Sequence, residues 1–304
     1  MSLAEIKEFL QPGSDREAVE LLALHGERAV ILGGGTFLHG LAARGLFRKI
    51  DTLIDLQKTG LSFVKVEGEG LVVGSTTTFA ALAATEIVRT KPEFGALLDA
   101  LRYPPPQICN LATVGGCVAA AAPLFDLPIA LMALDGSVKA LGPRGSREIE
   151  LHKFYLDYFE HVLERTELLT QVVVAKQPFR SGSAFLKLET NANDLALLNV
   201  GARVTLDEEG TCRDVRVVVG GGVGKVPVRA VSCEDALKGQ RPTMAVLRES
   251  GNAVSSDIRA VSDHRTSAKY RTTVAKVFVR RALLRALSRV GVQLDEPGGE
   301  GSGH

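Results

Sequence analysis

The stretch Ala29-Val30-Ile31-Leu32-Gly33-Gly34-Gly35-Thr36-Phe37-Leu38 decides the architecture. Four consecutive apolar residues suit a short buried strand, and the glycines that follow end it in a loop open to close backbone approach. A helix-like stretch then runs from Phe37 to Arg44, and Thr52-Leu53-Ile54-Asp55 supplies another strand. Residues 29–55 thus read as a β-loop-α-β unit. Upstream, Ser14 to Leu24 reads as an amphipathic helix, with Ser14 as N-cap, Glu17 closing a capping box, and Val19, Leu21 and Leu22 on the buried side.

A glycine loop between strand and helix can surround phosphate oxygens with backbone N–H groups, and the helix start adds a positive dipole end. The loop lacks Gly-x-Gly-x-x-Gly spacing, since Leu38 stands three positions after Gly35, and it lacks the Lys-Ser/Thr ending of a P-loop. A tight turn without a ligand stays open on this motif alone. A second candidate is Asn110-Leu111-Ala112-Thr113-Val114-Gly115-Gly116, whose Thr113 lies 80 positions beyond Gly33. Two such loops suit the pyrophosphate of a dinucleotide held by neutral backbone donors. Asp126, alone among carboxylates in a long apolar stretch, could accept from a ribose hydroxyl or an adenine amino group, or cap the next helix.

From Leu61 onward the pattern becomes a hairpin, Phe63–Glu67 and Leu71–Gly74, around Glu67-Gly68-Glu69-Gly70. Helices follow at Phe79–Ala84 and Phe94–Leu101. Tyr103-Pro104-Pro105-Pro106 forbids regular helix, and the nearly uncharged segment Cys109 to Ala122 is expected to be buried. Lys176 to Gly182 reads as a polar linker. Beyond it come strands at Ala184–Leu188, Leu195–Leu206 and Val215–Val219, with a hairpin turn at Asp207-Glu208-Glu209-Gly210, then helices at Cys233–Leu237, Met244–Val254 and Tyr270–Leu287. The Glu296–His304 tail has no apolar content and is expected to be disordered.

Lys+Arg (36) and Asp+Glu (35) nearly cancel across 304 residues, which removes the basic footprint of a nucleic-acid binder. Cys109, Cys117, Cys212 and Cys233 are separated by 8, 95 and 21 positions and form no Cys-x-x-Cys pair, so no zinc ribbon or iron–sulfur cluster is encoded and a reducing cytoplasm fits. No apolar run approaches the ~18 residues of a membrane span, and acidic residues fill the N-terminus where a signal peptide would be apolar.

Taken together, Gly33-Gly34-Gly35-Thr36, Gln107-Ile108-Cys109-Asn110 leading into Thr113-Val114-Gly115-Gly116, and Asp126 resemble the FAD-binding medium subunit of the molybdenum hydroxylases, the family of bacterial xanthine dehydrogenase and aerobic carbon monoxide dehydrogenase-like enzymes. Gly220-Gly221-Gly222-Val223, Pro227-Val228-Arg229-Ala230 and Ser262-Asp263-His264-Arg265-Thr266-Ser267-Ala268-Lys269-Tyr270-Arg271 resemble that family's C-terminal domain, so the likeness runs over residues 1–288. It implies an α+β fold: a two-subdomain, PCMH-like FAD-binding domain (1–176, subdomains about 1–58 and 59–176), then a smaller α+β domain (177–290) and a tail (291–304).

The resemblance also implies site roles. Leu32, Gly33, Gly34, Gly35, Thr36, Phe37 and Leu38 would hold the pyrophosphate, completed by Thr113, Gly115 and Gly116. Asp126 would contact the adenosine end. Tyr103, Leu169 before the strand Val172–Val174, and Lys187 would lie near the isoalloxazine, where a cation stabilises negative charge on reduced flavin. An exposed strand lysine is the alternative for Lys187.

Three departures from the family pattern stand out. Gly33 occupies a usual alanine position, Cys109 a usual arginine, and the Cys-rich segment of the 4-hydroxybenzoyl-CoA reductase branch is missing. His39 admits a covalent-flavin reading or a solvated helix residue. The basic residues from Arg265 to Arg289 suit a solvated or interfacial helix face.

The implied function is electron transfer: [2Fe-2S] clusters on a small subunit deliver electrons to FAD here, a large molybdopterin subunit oxidises substrate, and NAD+ or another acceptor takes the electrons onward. A stand-alone FAD oxidase and a non-catalytic assembly subunit are the competing readings.

Overall fold

The computed structural model describes residues 6–43, 50–191 and 194–294; the expected tail from Glu296 and the last residue of the helix at Arg44 lie outside them. Strand β1 (Glu8–Leu10), helix α1 (Asp15–His25), β2 (Ala29–Leu32), α2 (Thr36–Ala43) and β3 (Thr52–Asp55) form the first unit. Its sheet is parallel throughout, with β3 between β1 and β2. Parallel neighbours need a crossover, and α2 lies in the connection from β2 to β3. The glycine loop therefore sits at the carboxyl end of β2, the edge where open α/β sheets bind ligands.

Helix α1 begins as its sequence predicts, with Ser14 Oγ accepting from the Glu17 N–H at 3.1 Å. The return bond reaches one residue further back than a capping box requires, from Gly13 N–H to Glu17 Oε2 at 2.7 Å. Ala18, Val19 and Leu22 bury against Ile54, Leu56, Leu61 and Leu168, with Leu21 at the margin of that cluster.

The second unit opens with the hairpin β4 (Val64–Glu67) and β5 (Gly70–Gly74). Helices α3 (Phe79–Ala84), α4 (Glu86–Thr90), α5 (Gly95–Ala100), α6 (Pro106–Leu111), α7 (Val114–Ala119) and α8 (Leu127–Ala133) follow. Then come β6 (Ser137–Gly142), β7 (Gly145–Glu150), the small hairpin β8 (Tyr155–Asp157) and β9 (Glu160–His161), and β10 (Leu168–Val174). The five-stranded antiparallel sheet has the order β4-β5-β10-β6-β7, so β10 joins two hairpins. Val138 and Val172 of that sheet share one core with Leu82, Phe94, Leu97, Val114, Ile129 and Leu131 from the helices.

Several expectations change here. Pro106 does not prevent a helix but opens α6 in its first turn, where a missing N–H leaves no bond unmade. The segment from Cys109 to Ala122 is buried only in part: Ala112 to Gly115, Cys117 and Val118 are enclosed, whereas Asn110 and Gly116 are exposed and Leu111 is 58% exposed. Leu169 lies inside β10 rather than before a strand at Val172. Pairing with β6 begins at Leu168 and passes over a bulge between Leu169 and Gln171.

The third unit is a meander of β11 (Ser181–Leu188), β12 (Leu198–Leu206), β13 (Cys212–Gly220) and β14 (Val228–Arg229), then α9 (Val231–Leu237), α10 (Met244–Asp257) and α11 (Ala268–Ser288). Every residue of β12 is buried. Alternate residues explain why: Ala184, Val200, Ala202, Val217 and Val219 pack with Ala275, Val279 and Leu283 of α11, while Phe185 and Val218 join the core of the second unit. At Gly201 a Cβ would lie 2.8 Å from Ile129 O, so α8 rests directly on β12 backbone.

The anticipated linker from Lys176 to Gly182 is stapled rather than free. Gln177 is buried, donates to Leu134 O at 3.1 Å and accepts from Arg203 Nη1 at 2.5 Å, and Ser181 already belongs to β11. Buried Asp99 of α5 accepts from Arg285 and Arg289 at 2.8 Å each and from the Phe185 N–H at 3.1 Å. The C-terminal basic face is therefore interfacial within the chain itself at these positions.

Candidate functional site

The two glycine motifs meet. A Cβ at Gly34 would stand 1.6 Å from Leu111 O, and one at Gly33 would stand 2.7 Å from Thr113 Oγ1, so the first loop lies backbone-to-backbone on the second. Gly35 has φ +71°, a left-handed conformation that aims the chain from β2 into α2. Among the described residues, no carbonyl or side chain accepts from the N–H groups of Gly34, Gly35, Thr36, Phe37 or Leu38. Five neutral donors without acceptors therefore lie along a half-buried loop and helix start, a combination suited to an anion.

The second loop contributes differently from what its sequence suggests. Gly115 gives its N–H to Ser75 O at 2.9 Å, and a Cβ there would lie 2.4 Å from Ser75 Cβ. This glycine lets α7 pack on the chain leaving β5 and offers no free amide. Val114 N–H bonds Thr77 O at 2.9 Å. Gly116 N–H goes to Thr113 Oγ1 at 3.2 Å, making Thr113 the N-cap of α7. The Thr113 hydroxyl accepts that bond and keeps its own hydrogen to donate.

Phe37 links these loops to a charged cluster. Its ring meets Phe125 edge-on at 5.5 Å and stacks on Phe159 at 5.9 Å. Next to Phe125, the Asp126 side chain makes no capping bond. Its Oδ2 lies 3.0 Å from Lys187 Nζ, and its Oδ1 accepts from Asn199 Nδ2 at 2.9 Å. Burial raises the Asp126 carboxyl above its ordinary value, opposed by Lys187 and Asn199.

Lys187 is not the exposed strand lysine of the alternative reading: its side chain is 4% exposed and its Nζ sits 5.3 Å from the Tyr103 ring centroid. Tyr103 accepts from the Lys187 N–H at 3.2 Å, and burial pushes its phenol up. An extended dinucleotide separates adenosine from isoalloxazine by the whole pyrophosphate and ribityl chain. Asp126 and Lys187 form one ion pair, so the two side chains stand side by side and would meet the same part of such a ligand.

Other expected positions fall elsewhere. Leu169 is buried in the core shared with Ala112 and Val114, behind the second loop. His39 is exposed on α2. The four cysteines are free thiols, with Cys212 pushed up to about 12 by burial. Among the described residues no three His, Cys, Asp or Glu side chains gather to hold a metal. Glu189 and Asn199 were missed in the sequence, although a polar Asn199 inside the apolar run Leu198-Asn199-Val200 was a visible signal.

The motif Ser262 to Arg271 braces the chain that leads into β12. Arg265 donates to the carbonyls of Leu195 at 3.0 Å and Ala196 at 3.3 Å, and buried Arg271 donates to Leu197 O at 3.0 Å. Both arginines thus fix the segment that enters β12 just before Asn199.

Comparison with known proteins agrees with this geometry. Residues 4–176 match the family model described as the FAD binding domain in molybdopterin dehydrogenase, and residues 183–286 match the CO dehydrogenase flavoprotein C-terminal domain. The chain is 30% identical to the 6-hydroxypseudooxynicotine dehydrogenase complex subunit alpha of Paenarthrobacter nicotinovorans, over 93% of this chain and 95% of that one. It is 29% identical to the carbon monoxide dehydrogenase medium chain of Afipia carboxidovorans, over 93% and 97% respectively. A chain in the structure of carbon monoxide dehydrogenase from Hydrogenophaga pseudoflava superposes with a TM-score of 0.87 at 28% identity, over 93% of this chain and 98% of that one. With two fused glycine loops, an enclosed lysine cluster and both domain models matched in order, the chain belongs to the FAD-binding medium subunits of the molybdopterin dehydrogenases and is an oxidoreductase subunit.

Proposed function

We propose that this subunit carries electrons through FAD within a molybdenum hydroxylase complex, from [2Fe-2S] clusters of a small subunit to NAD+ or another acceptor, while a molybdopterin large subunit oxidises the substrate. The observation that carries the reading is the contact of Gly33 and Gly34 with Leu111 and Thr113, which leaves the amides of Gly34 to Leu38 free beside a hydroxyl donor. These residues fit a pyrophosphate. Gly34 to Leu38 would hold it with the Thr113 hydroxyl. Leu32, Gly33, Gly115 and Gly116 would shape the cradle, and Leu169 would support it from the core.

Tyr103, Asp126 and Lys187 would face the isoalloxazine end. Bound FAD supplies the two-electron carrier that no side chain of this chain provides. The protein's part is to orient it, exclude water on the Tyr103 side, and place an ammonium near the ring. On this reading residues 1–176 carry the cofactor and 177–290 close over it. The free thiols suit a cytoplasmic complex, and among the described residues no helix is long and apolar enough to cross a membrane.

The test is copurification of the native complex, with its visible spectrum and metal content recorded and NAD+ and artificial acceptors assayed separately. Co-elution with iron and molybdenum, and flavin reduction that requires them, is the expected result. Direct reduction of the isolated chain's flavin by an organic substrate would instead establish a stand-alone oxidase. A chain that binds partners without retaining FAD would establish an assembly role.

A further inference from the structure

The Lys187 ammonium touches two carboxylates. Asp126 Oδ2 lies 3.0 Å from Nζ and Glu189 Oε2 lies 3.2 Å from it. Glu189 is the first residue beyond β11, two positions after Lys187, and residues two apart in an extended chain share a face. Its side chain is 23% exposed, yet Oε2 itself is sealed from solvent and makes no hydrogen bond beyond this ion pair. A carboxylate at a loop start has easy access to water, so enclosing one costs free energy unless its partner needs it.

The surrounding backbone holds it there. Leu197 N–H bonds Leu188 O at 2.8 Å, closing the base of the connection between β11 and β12, and Arg265 and Arg271 anchor the carbonyls of residues 195–197 from behind. The other charged and polar groups facing Lys187 are Asp126, bonded to Asn199, and Tyr103, which has the Asp99–Arg285 pair nearby.

We propose that Glu189 is a positioning residue: with Asp126 it clamps the Lys187 ammonium against Tyr103 and leaves one negative charge in excess at that end of the cofactor site. This rests on the reading that the Lys187 cluster faces the isoalloxazine. One ammonium between two carboxylates disfavours added negative charge on the ring, so Glu189 holds the flavin's reduction potential down. Without Glu189 the lysine is more mobile and less neutralised, and the potential rises.

The experiment compares wild type, Glu189→Gln, Glu189→Asp, Lys187→Met and the double variant Glu189→Gln/Lys187→Met as FAD-loaded full chains. Three quantities are read: FAD per chain, the thermal melt, and the flavin midpoint potential by spectroelectrochemistry. Glu189→Gln is expected to keep FAD and shift the potential upward, Glu189→Asp to restore most of the wild-type value, and the glutamine shift to shrink strongly when Lys187 is absent. Stoichiometric FAD with an unmoved potential in Glu189→Gln overturns the proposal, as does an equal shift with and without Lys187. Loss of FAD in both Glu189 variants at an unchanged melt assigns the side chain to packing and also overturns it. A wild-type chain that takes up no FAD is a different failure: it removes the reading of the site and this inference with it.

Discussion

Gly34 is the residue with least freedom at the site, because a methyl group there would overlap Leu111 O at 1.6 Å. Gly34→Ala must separate the two loops, and the purified variant is expected to lose its flavin absorbance and melt lower than wild type. Gly40, on the exposed side of the same helix with nothing within 4 Å of its would-be Cβ, is the control. Gly40→Ala should keep FAD and gain up to about 1 kcal/mol from helix propensity. If both variants retain flavin equally, the loop contact is not part of the binding site. The residue identities in this loop were legible, since glycines after a strand announce close backbone approach. What they approach was not, because Leu111 is 77 positions away in the chain.

Among elements, α7 shows how one hydroxyl serves two purposes. Thr113 caps the helix through Gly116 N–H at 3.2 Å and stands beside Gly33 of the other loop. Thr113→Val preserves shape but removes the cap and the donor, so it should cost about 1 kcal/mol in denaturant unfolding and also weaken FAD binding by titration. Ser14→Ala removes the comparable cap of α1 and should cost a similar ~1 kcal/mol with FAD affinity unchanged. A Thr113→Val chain with wild-type affinity would confine Thr113 to a structural role. The element pattern was readable where the signal is local: the Ser14 cap, the hairpin turns at Glu67–Gly70 and Asp207–Gly210 and the apolar run of β12 follow from residues within a few positions, whereas the Thr113 cap was not read. Leu169 was misjudged because its membership of β10 depends on pairing with Ala140, a partner no local pattern contains.

At the scale of the whole molecule, the second unit and the C-terminal unit are locked by Asp99, Arg285 and Arg289 as well as by α8 lying on β12. Asp99→Ala strands two arginines at a buried seam. Breaking a buried pair costs roughly 3–5 kcal/mol, and the lower end applies because the Arg285 side chain stays 42% exposed. Limited proteolysis of the variant should cut near residue 180 sooner than in wild type, and unchanged unfolding and cleavage would remove Asp99 from the lock.

Acid stability follows from a second anchor. Burial would raise the Asp263 carboxyl, but hydrogen bonds from the Arg271 side chain and from the amides of Arg265 and Thr266 outweigh it and hold it well below the usual carboxylate range. A depressed folded-state value means the stabilisation is present above the unfolded value of about 3.9 and is lost as pH falls below it. Asp263→Asn should therefore be less stable than wild type at pH 7, with the gap narrowing as unfolding is measured toward pH 3. A gap that does not narrow would place the effect outside this carboxylate's ionisation.

The sequence by itself determined the β-loop-α-β start, the two glycine motifs, the family and the absence of any clustered cysteine motif, because each is written in residues adjacent along the chain. The tertiary structure decided which groups each of those residues meets. Gly115 gives its N–H to Ser75 O, Asp126 pairs with Lys187, and Glu189 enters the cluster unannounced. Hydrogen-bond capacity and burial are set by whatever the fold brings within about 3 Å, and at Asp126 and Lys187 that neighbour lies 61 positions away.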